Sequence, residues 1–540
     1  MKLDLVVANA RVYAMSPARP TATRLGIWQG RVAGLDEELA GVDAARVVDA
    51  GGRTVLPGFV DAHTHLVWQG LALGGLDISA ARGINDALAL IGSAARQAPL
   101  GWLDVTGYDQ RLLGRHLEAA DLDKVSQGNK VYVRHMSGHA CVVSSAVLRE
   151  LPGAELEANP GVARGADGGP TGLFLENAQE IVLRRRLPYG QEELRAALRR
   201  STALCAAQGV TFCAEAGTGG GLVHHSPVEA AAYQDVSERD EMAVRVQLMV
   251  AGDYLHPLGV TPEYGPALGV DLGLRSGFGG ERLSLGAAKF WLDGAMSART
   301  AALTEPYAGS ADKGALTERL GHYRTAIPAC HAAGWQLALH AIGDSAIDVA
   351  LELVEAATRL HPMAGARPRI EHCGLVRPDQ LERLARSGAV AVVQPEFLRK
   401  FGEDYSAIVG PERASWLYRG RSLLDHGVVV AGSSDRPVTS GSPLSAVSFM
   451  VTRRTASGQQ VGAAEAMSVG ESLHAYTVAA AYACQAEREV GSLAAGKQAD
   501  LVFLDADPFQ VAPADIAAIP VVATVVGGRA TYDRAGLFGG

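Results

Sequence analysis

Two histidines in the segment PGFVDAHTHL have a spacing that metal ligands use on a strand. His63 and His65 are separated by a single residue. Alternate side chains of a strand point to the same face, so both imidazoles point the same way if this segment is extended. Two imidazoles placed in this way can reach one metal ion. The alternative is a pair of polar residues at the end of a strand with no ligand.

A lysine in the segment AAKFWLDG also has a pattern that suggests chemistry. Phe290 and Leu292 fall on one face of the predicted strand, whereas Lys289 falls on the opposite face. If the two apolar residues pack outward, the lysine points into the interior, where a charge is costly unless it is paired or modified. Reaction with CO₂ would give an anionic carbamate that can bridge two metal ions. The alternative is an ion pair with a nearby carboxylate.

Three further polar residues each stand where an apolar run ends. They are His340 in LALHAIGD, His372 in RIEHC and Asp435 in AGSSDRPV. Taken alone, each histidine suits a structural role and the aspartate suits a helix N-cap. Taken with His63, His65 and Lys289, they supply the nitrogen and oxygen ligands that one or two divalent ions prefer.

The elements that must position these residues alternate along the chain. Short apolar runs of strand length are separated by Ala-, Leu-, Glu- and Arg-rich helical stretches, which predicts parallel strands with crossover helices. Eight such runs predict an α/β fold of the TIM type, a (β/α)₈ barrel, whose active site lies at the carboxyl ends of the strands. The predicted strands are residues 58–65, 210–216, 244–250, 287–294, 336–342, 369–374, 389–394 and 428–435.

The remainder of the chain suggests two additions to the barrel. Residues 1–56 and 485–540 are rich in short strand-like runs and turns, which predicts one small β-sheet domain built from both chain ends. Residues 57–484 form the predicted barrel. Its first and second strands are too far apart for one crossover, so a large insertion at about residues 70–205 is expected beside the barrel mouth.

Composition restricts the partners. The formal net charge is −9, with 49 basic and 58 acidic residues, which disfavours nucleic acid as a partner. No apolar run is long enough for a membrane helix, and the N-terminal segment lacks a secretory pattern. The six cysteines form no CxxC, which favours reduced thiols. We therefore expect a cytoplasmic protein that acts on a small molecule and forms a possible homo-oligomer.

Several of these motifs together resemble a known family. PGFVDAHTHL, AAKFWLDGAMSARTAALTEPY, LHAIGD, RIEHC, QPEF, GSSDRPV and the terminal GSLAAGKQADLVFLDADP are similar to the amidohydrolase superfamily. The most similar branch is the amidohydrolase-3 group, which includes N-substituted formamide deformylases. The resemblance implies that the domain built from both chain ends, residues 1–56 and 485–540, is a β-sandwich. It implies that Asp435, Lys289 and His372 are catalytic. It also implies a first metal on His63, His65 and Asp435, a second on His340 and His372, and a Lys289 carbamate between them.

Two positions depart from the pattern of this family. Family members often have a histidine followed by Asn-Ser in the insertion, whereas here His139 is followed by Ser144 and Ser145. The second strand carries Glu215 in VTFCAEAG, where aspartate or histidine is more usual. The sequence leaves the role of Glu215 open, and a structural hydrogen bond is the preferred expectation.

The expected reaction is hydrolysis of an amide-type C–N bond, of an N-acyl, N-formyl or cyclic amide, by water that a divalent metal activates. The metal is expected to be Zn²⁺, with one or two ions per chain. Asp435 would accept the proton of the water and then donate it to the leaving nitrogen. The predicted substrate contacts are Trp68, His139, Trp291, Arg299 and Phe397.

Other functions fit the same pattern. A metal-dependent deaminase of a heterocyclic amine would use a similar site, although such sites usually need no bridging lysine. Ester cleavage or decarboxylation would also fit the ligand set. A metal-free binding protein on the same fold is the non-enzymatic alternative, and it is disfavoured because every ligand position is filled.

Overall fold

The computed structural model describes most of the chain and divides it into two compact units. The first unit consists of Met1–Leu66, Thr202–His224 and Tyr233–Gly540, and the second of Val67–Ser201 with His225–Ala232. The residues described are 2–98, 100–135, 140–175, 178–220, 225–261 and 265–539.

An eight-stranded parallel sheet is the centre of the first unit. In chain order its strands are β1 (Phe59–Thr64), β2 (Val210–Thr218), β3 (Arg245–Ala251), β4 (Leu283–Trp291), β5 (Leu337–Ala341), β6 (Arg369–His372), β7 (Val390–Val393) and β8 (Val430–Gly432). Neighbouring strands pair in that order from β1 to β8. Every predicted strand is present, with bounds that differ by a few residues.

The sheet is nearly closed into a barrel by the segment that follows β8. The backbone N–H of Asp435 donates to the carbonyl of His63 at 2.8 Å, and the N–H of His65 donates to the carbonyl of Arg436 at 3.0 Å. These bonds join the last strand to the first. The predicted TIM-type barrel agrees with this arrangement, and parallel strands of such a barrel are buried on both faces.

Helices follow most of the strands, as the alternating pattern predicts. Those after β4, β5, β6, β7 and β8 include Leu320–Ala332, Asp344–Leu360, Pro378–Ser387, Pro395–Val409 and Pro443–Thr452, and Glu229–Glu238 follows β2. In Asp344–Leu360 the buried residues Ile347, Leu351 and Val354 recur at helical spacing. They form the apolar stripe with which an amphipathic helix packs.

The connection between β3 and β4 differs from the expected helix. Its described residues form a hairpin, His256–Thr261 paired with Gly265–Gly269, and two short 3₁₀ turns. The segment HPLGVT and the later GPALGV carry proline and glycine, which disfavour a helix interior. The simple alternation of strand and helix is therefore interrupted once, and this expectation was wrong at that connection.

Strands from both chain ends pair with each other. Leu501–Leu504 lies antiparallel to Thr54–Pro57, the strand that leads directly into β1. The six-stranded sheet that contains them is ordered Arg529–Asp533, Val521–Val526, Leu501–Leu504, Thr54–Pro57, Arg11–Tyr13, Thr21–Ala22. A four-stranded sheet is ordered Arg31–Leu35, Leu25–Trp28, Leu3–Ala8, Ala44–Asp49. Residues of both sheets share one apolar cluster, while the sandwich arrangement and the domain bounds stay predictions.

The second unit has its own sheet and core. The strands are ordered Val162–Arg164, Pro170–Leu175, Ala140–Val143, Lys130–His135, Trp102–Tyr108, Leu76–Asp77. Its helices include Ile84–Gln97 and Gln179–Arg186. Ile91, Val105, Val131 and Val142 belong to one buried apolar cluster, so residues within the predicted insertion carry a core of their own.

Two further expectations concern the whole chain. All six cysteines are free and buried, as the sequence predicts. Among the described residues, no helix has the length and apolar character needed to cross a membrane.

Candidate metal centre

The predicted ligands lie at one end of the barrel. They follow or end strands β1, β4, β5, β6 and β8, and all are buried: His63, His65, Lys289, His340, His372 and Asp435. The ring centroids of His340 and His372 are 4.3 Å apart, and those of His63 and His372 are 5.0 Å apart. The ring of His65 is 5.4 Å from that of His63. Four strands and one turn thus bring these side chains to one point.

Three of these residues form the tightest group. His63, His372 and Asp435 each offer one ligand atom, and these atoms all lie within 4.8 Å of one another. His65 adds its Nε2, which is 3.0 Å from Asp435 Oδ1. The imidazoles of His63 and His372 and the carboxylate of Asp435, with ligand atoms within 4.8 Å of one another, are a donor set that suits a divalent transition metal.

The second nitrogen of three imidazoles is held by another side chain. Nδ1 of His63 is 2.6 Å from Glu371 Oε2, Nδ1 of His340 is 3.0 Å from Asp293 Oδ1, and Nδ1 of His372 is 2.7 Å from Gln394 Oε1. Such partners fix the tautomer and the orientation of metal-ligating histidines. In each case Nε2 is left for the centre of the cluster.

These partners are themselves anchored. Glu371 accepts hydrogen bonds from the buried guanidinium of Arg369, at 2.7 Å from Nε to Oε1. Asp293 accepts the backbone N–H groups of Ala302, Ile342 and Gly343. Each histidine therefore belongs to a connected buried network, which restricts its rotamer.

Glu215 has the structural role expected from the sequence. Its Oε2 accepts the backbone N–H of Leu66 at 2.7 Å and the hydroxyl of Tyr233 at 2.5 Å. Its Oε1 lies 3.5 Å from Nδ1 of His65. Glu215 thus holds both the imidazole and the backbone immediately after β1.

Burial sets the charge of the histidines. It lowers the pKa of both His340 and His372 to about 3, and it lowers the pKa of His63 well below the usual value, in each case with help from neighbouring cations. These imidazoles are neutral at neutral pH, which is the state that binds a metal. Burial also opposes protonation of His65, but Asp435 and Glu215 outweigh it and raise the pKa of His65 to about 9.

Lys289 is a buried cation with no hydrogen-bond partner for its Nζ among the described residues. Its side chain is fully buried, and Nζ lies 5.0 Å from the ring centre of Trp291. Burial lowers its pKa to about 8, against the opposing charges of Glu371 and Asp435. Burying an amine without a hydrogen-bond partner is unfavourable in free energy, and a buried amine with a shifted pKa is typical of functional sites.

The backbone around the cluster adopts an uncommon conformation. His372, Cys373 and Asp435 have positive φ angles of 72°, 47° and 52°. Non-glycine residues in this region cost of order 1–3 kcal/mol each, and such strain concentrates at functional sites. The strained residues include two of the three members of the tightest ligand group.

The predicted substrate contacts are distributed differently. The ring of Phe397 stacks on His372 with centroids 6.0 Å apart, and Trp291 stands beside Lys289. Arg299 is exposed, and Trp68 is half-buried on the helix Leu66–Gly74, mostly within the second unit. His139 lies outside the described residues. Substrate binding by all five stays a prediction.

Sequence reasoning missed the residues that hold the histidines. The motifs RIEHC, WLDG and QPEF contain these residues, which are Glu371, Asp293 and Gln394. The motifs by themselves indicate no role for them. Their position along the chain was the one available signal of a role at the site, because each lies at a strand end on the same rim as the ligands. What the sequence could not give is the pairing, since His63 and Glu371 are far apart along the chain.

Comparison with known proteins agrees with the family resemblance of the sequence motifs. A family model described as the amidohydrolase family matches residues 46–532. The YtcJ protein of Bacillus subtilis is 26% identical over 92% of this chain and 92% of its own length. The N-substituted formamide deformylase of Arthrobacter pascens is 28% identical over 99% of both chains.

A solved structure has a similar fold. An uncharacterized metal-dependent hydrolase from Pyrococcus horikoshii superposes with a TM-score of 0.78 at 24% identity, and the match covers 94% of this chain and 99% of that one. The resemblance to the amidohydrolase superfamily seen in the sequence motifs is confirmed by the family model.

Proposed function

Because this chain belongs to the amidohydrolase family and is a hydrolase that acts on carbon–nitrogen bonds, we propose that it is a metal-dependent enzyme that cleaves an N-substituted amide of a small molecule. The observation that carries the proposal is the buried group of His63, His372 and Asp435, whose ligand atoms lie within 4.8 Å of one another. Substrates of the N-formyl, N-acyl and cyclic amide classes share the required bond.

The donor set fits one or two divalent ions, and zinc suits the mixture of imidazole and carboxylate. His63, His65 and Asp435 would hold one ion, and His340 and His372 would hold the other. When bound, such an ion would polarise the carbonyl oxygen of the substrate and lower the pKa of a water molecule.

Lys289 supports a two-ion centre. We propose that its Nζ carries a carbamate, formed when the neutral amine attacks CO₂ and loses a proton. This modification turns a buried amine that lacks a hydrogen-bond partner among the described residues into an anionic ligand between the histidines. It would also relieve the cost of burying a cation there.

Asp435 is positioned to move the proton that the reaction requires. Burial works to raise its pKa, but the hydrogen bond from His65 and the charge of His63 outweigh that effect and hold the pKa below the usual value. An ionised carboxylate accepts the proton of the attacking water and then delivers it to the leaving nitrogen, because an amide anion is a poor leaving group.

The choice of substrate class is supported by the similar proteins and by the walls of the site. A relative that aligns along nearly the whole chain is an N-substituted formamide deformylase. Phe397 and Trp291 present aromatic surface next to His372 and Lys289. Apolar walls with a few polar groups favour a substrate that carries an apolar substituent on nitrogen.

The test is a substrate panel with matched protein variants. N-Formyl, N-acyl, cyclic imide and aminopurine compounds are incubated with wild-type protein, with chelator-treated protein and with chelator-treated protein that has been reloaded with zinc or manganese. We expect release of an amine from a formyl or acyl compound, loss of that activity after chelation, and recovery after reloading.

Asp435→Asn and His331→Asn extend this panel. His331 is buried on Leu320–Ala332, where its Nε2 contacts the carbonyl of His361, away from the ligand group. We expect Asp435→Asn to abolish turnover with metal largely retained, and His331→Asn to leave turnover unchanged. Ammonia release from aminopurines alone would replace the proposal with a deaminase, and an active, metal-replete Asp435→Asn protein would refute the role of Asp435.

A further inference from the structure

Tyr418 carries a buried hydroxyl that the structure leaves without a hydrogen-bond partner among the described residues. The side chain is 3% exposed. A phenylalanine would fill the same space without burying a polar group that lacks a partner. A buried polar group of this kind is unusual, because burial of an unpartnered hydroxyl is unfavourable.

The position of Tyr418 next to the ligand histidines is fixed by its backbone. Its N–H donates to the carbonyl of Gly374 at 2.7 Å, and Leu417 pairs with Leu375 just after β6. The buried guanidinium of Arg453 donates to the carbonyls of Tyr418 and Leu417, at 3.0 and 3.3 Å. Tyr418 is thereby held beside the end of the strand that carries His372.

The aromatic ring of Tyr418 is separated from a ligand histidine by one ring, that of Phe397. The ring of Tyr418 contacts that of Phe397, with centroids 5.8 Å apart, and Phe397 in turn stacks on His372. Burial raises the pKa of Tyr418 well above its usual value, and the charges of Tyr405, Asp435 and Asp293 act in the same direction. Asp435 and Asp293 stand at the ends of β8 and β4, so the hydroxyl is within electrostatic reach of the centre from two sides.

A neighbouring tyrosine shows the difference between the two phenols. Tyr405 is also buried and also lies within electrostatic reach of Asp435, but its hydroxyl is hydrogen-bonded to Ser297. The backbone at Tyr418 has a positive φ of 41°. Strain of this type at a non-glycine residue persists only where the surroundings impose it, and it is concentrated at functional sites.

We propose that the hydroxyl of Tyr418 donates a hydrogen bond to the carbonyl oxygen of the substrate amide and stabilises the negative charge that develops there. This inference rests on the proposed function and deepens it. A phenol that keeps its proton is a donor, and a preorganised donor in a site without bulk water strengthens as charge builds on the oxygen. Its effect belongs to the turnover step rather than to ground-state binding.

The test compares Tyr418→Phe with wild type on N-(2-phenylethyl)formamide. We expect kcat to fall about 100-fold with little change in KM, because the bond is strongest in the transition state. Zinc content should be unchanged. The Tm should be unchanged or slightly raised, since the substitution removes only a hydroxyl that has no partner in the described part of the chain.

Tyr108→Phe is the matched control in the second unit. Tyr108 is fully buried, and its hydroxyl lies 2.6 Å from Nδ1 of His116 and accepts the N–H of Leu117 at 3.3 Å. This substitution should lower the Tm and leave kcat unchanged. The two Tyr→Phe changes therefore separate a lost structural hydrogen bond from a lost transition-state bond.

The possible outcomes distinguish failure of the role of Tyr418 from failure of the proposed amide hydrolysis. A Tyr418→Phe protein that turns over as fast as wild type overturns the inference and leaves the proposed function standing. A rise in KM with kcat unchanged also overturns it, because it would make Tyr418 a ground-state contact. Failure of wild-type protein to hydrolyse any compound of the amide panel overturns the proposed function and the inference with it.

Discussion

Lys289 and Arg245 are both cations buried in strands of the same barrel, and their surroundings differ. Arg245 begins β3, and its guanidinium donates to Asp500 at 2.8 Å, to Gln498 at 2.8 Å and to the carbonyl of Glu281 at 3.0 Å. Lys289 lies near the carboxyl end of β4, and its Nζ has no hydrogen-bond partner in the described part of the chain.

This difference is the one expected between a charge with a structural role and a charge with the functional role that we propose for Lys289. Arg245 joins the amino end of β3 to the C-terminal segment around Asp500, and loss of either partner would leave the other charge buried and unpaired. Lys289 donates no hydrogen bond in the described part of the chain, and its Nζ lies 5.0 Å from the ring centre of Trp291. A buried amine without a hydrogen-bond partner is unfavourable. The barrel therefore carries a hydrogen-bonded cation at the amino end of β3 and, among the described residues, a cation without a hydrogen-bond partner near the carboxyl end of β4.

Replacing Lys289 should affect activity far more than stability. We expect Lys289→Met to lower kcat/KM by at least ~10⁴-fold, because ligands of one catalytic unit do not act additively. The free energy of unfolding of the metal-free protein should be unchanged or raised, because the substitution removes a buried amine and no hydrogen bond is lost. Turnover of the active panel compound and denaturant unfolding measure the two effects. A destabilised but active variant would break the comparison.

Replacing Arg245 should give the opposite result. Arg245→Met leaves the carboxylate of Asp500 buried without its cation, and we expect a loss of about 3–5 kcal/mol in the free energy of unfolding. Turnover per folded molecule should stay within about twofold of wild type. Addition of Asp500→Asn should recover part of the stability, because it removes the uncompensated charge. Unchanged stability of the single variant would contradict the structural role.

Carbon dioxide should give the smallest effect, and it addresses Lys289 directly. Metal-free protein reloaded with zinc in CO₂-depleted buffer should recover several-fold less activity than in bicarbonate. The attacking amine must be neutral, and burial lowers the pKa of Lys289 to about 8. At a fixed concentration of dissolved CO₂, recovery should therefore become faster as the pH rises from 7 to 9. Equal recovery without CO₂ would indicate that Lys289 acts as a plain amine.

The barrel was predictable because its signals are local. Strand-length apolar runs such as LALHA and VAVV between helical stretches gave all eight strands. The ligand positions followed from the same rule, since the carboxyl ends of parallel strands meet at one rim. The connection after β3 was not predicted, because glycine and proline there favour a hairpin that the overall alternation conceals.

The network behind the ligands depends on long-range pairing and was not predictable in detail. Tyr418 gave no signal in SWLYRG, because its importance comes from a bridge to Leu375 and from Arg453. Asp293 was visible as a polar residue on β4, but its pairing with His340 required the strand register. Sequence patterns identify which residues reach the rim, whereas only packing decides which of them touch.

The pairing of Leu501–Leu504 with Thr54–Pro57 has a consequence for biosynthesis. The strand that leads into β1 precedes the barrel in the chain, yet its partner emerges from the ribosome only after all eight barrel strands have been translated. Until then the apolar residues Val55 and Leu56 have an open edge, which is a site for wrong pairing between nascent chains. Truncation before Leu501 should therefore yield aggregates rather than a smaller enzyme.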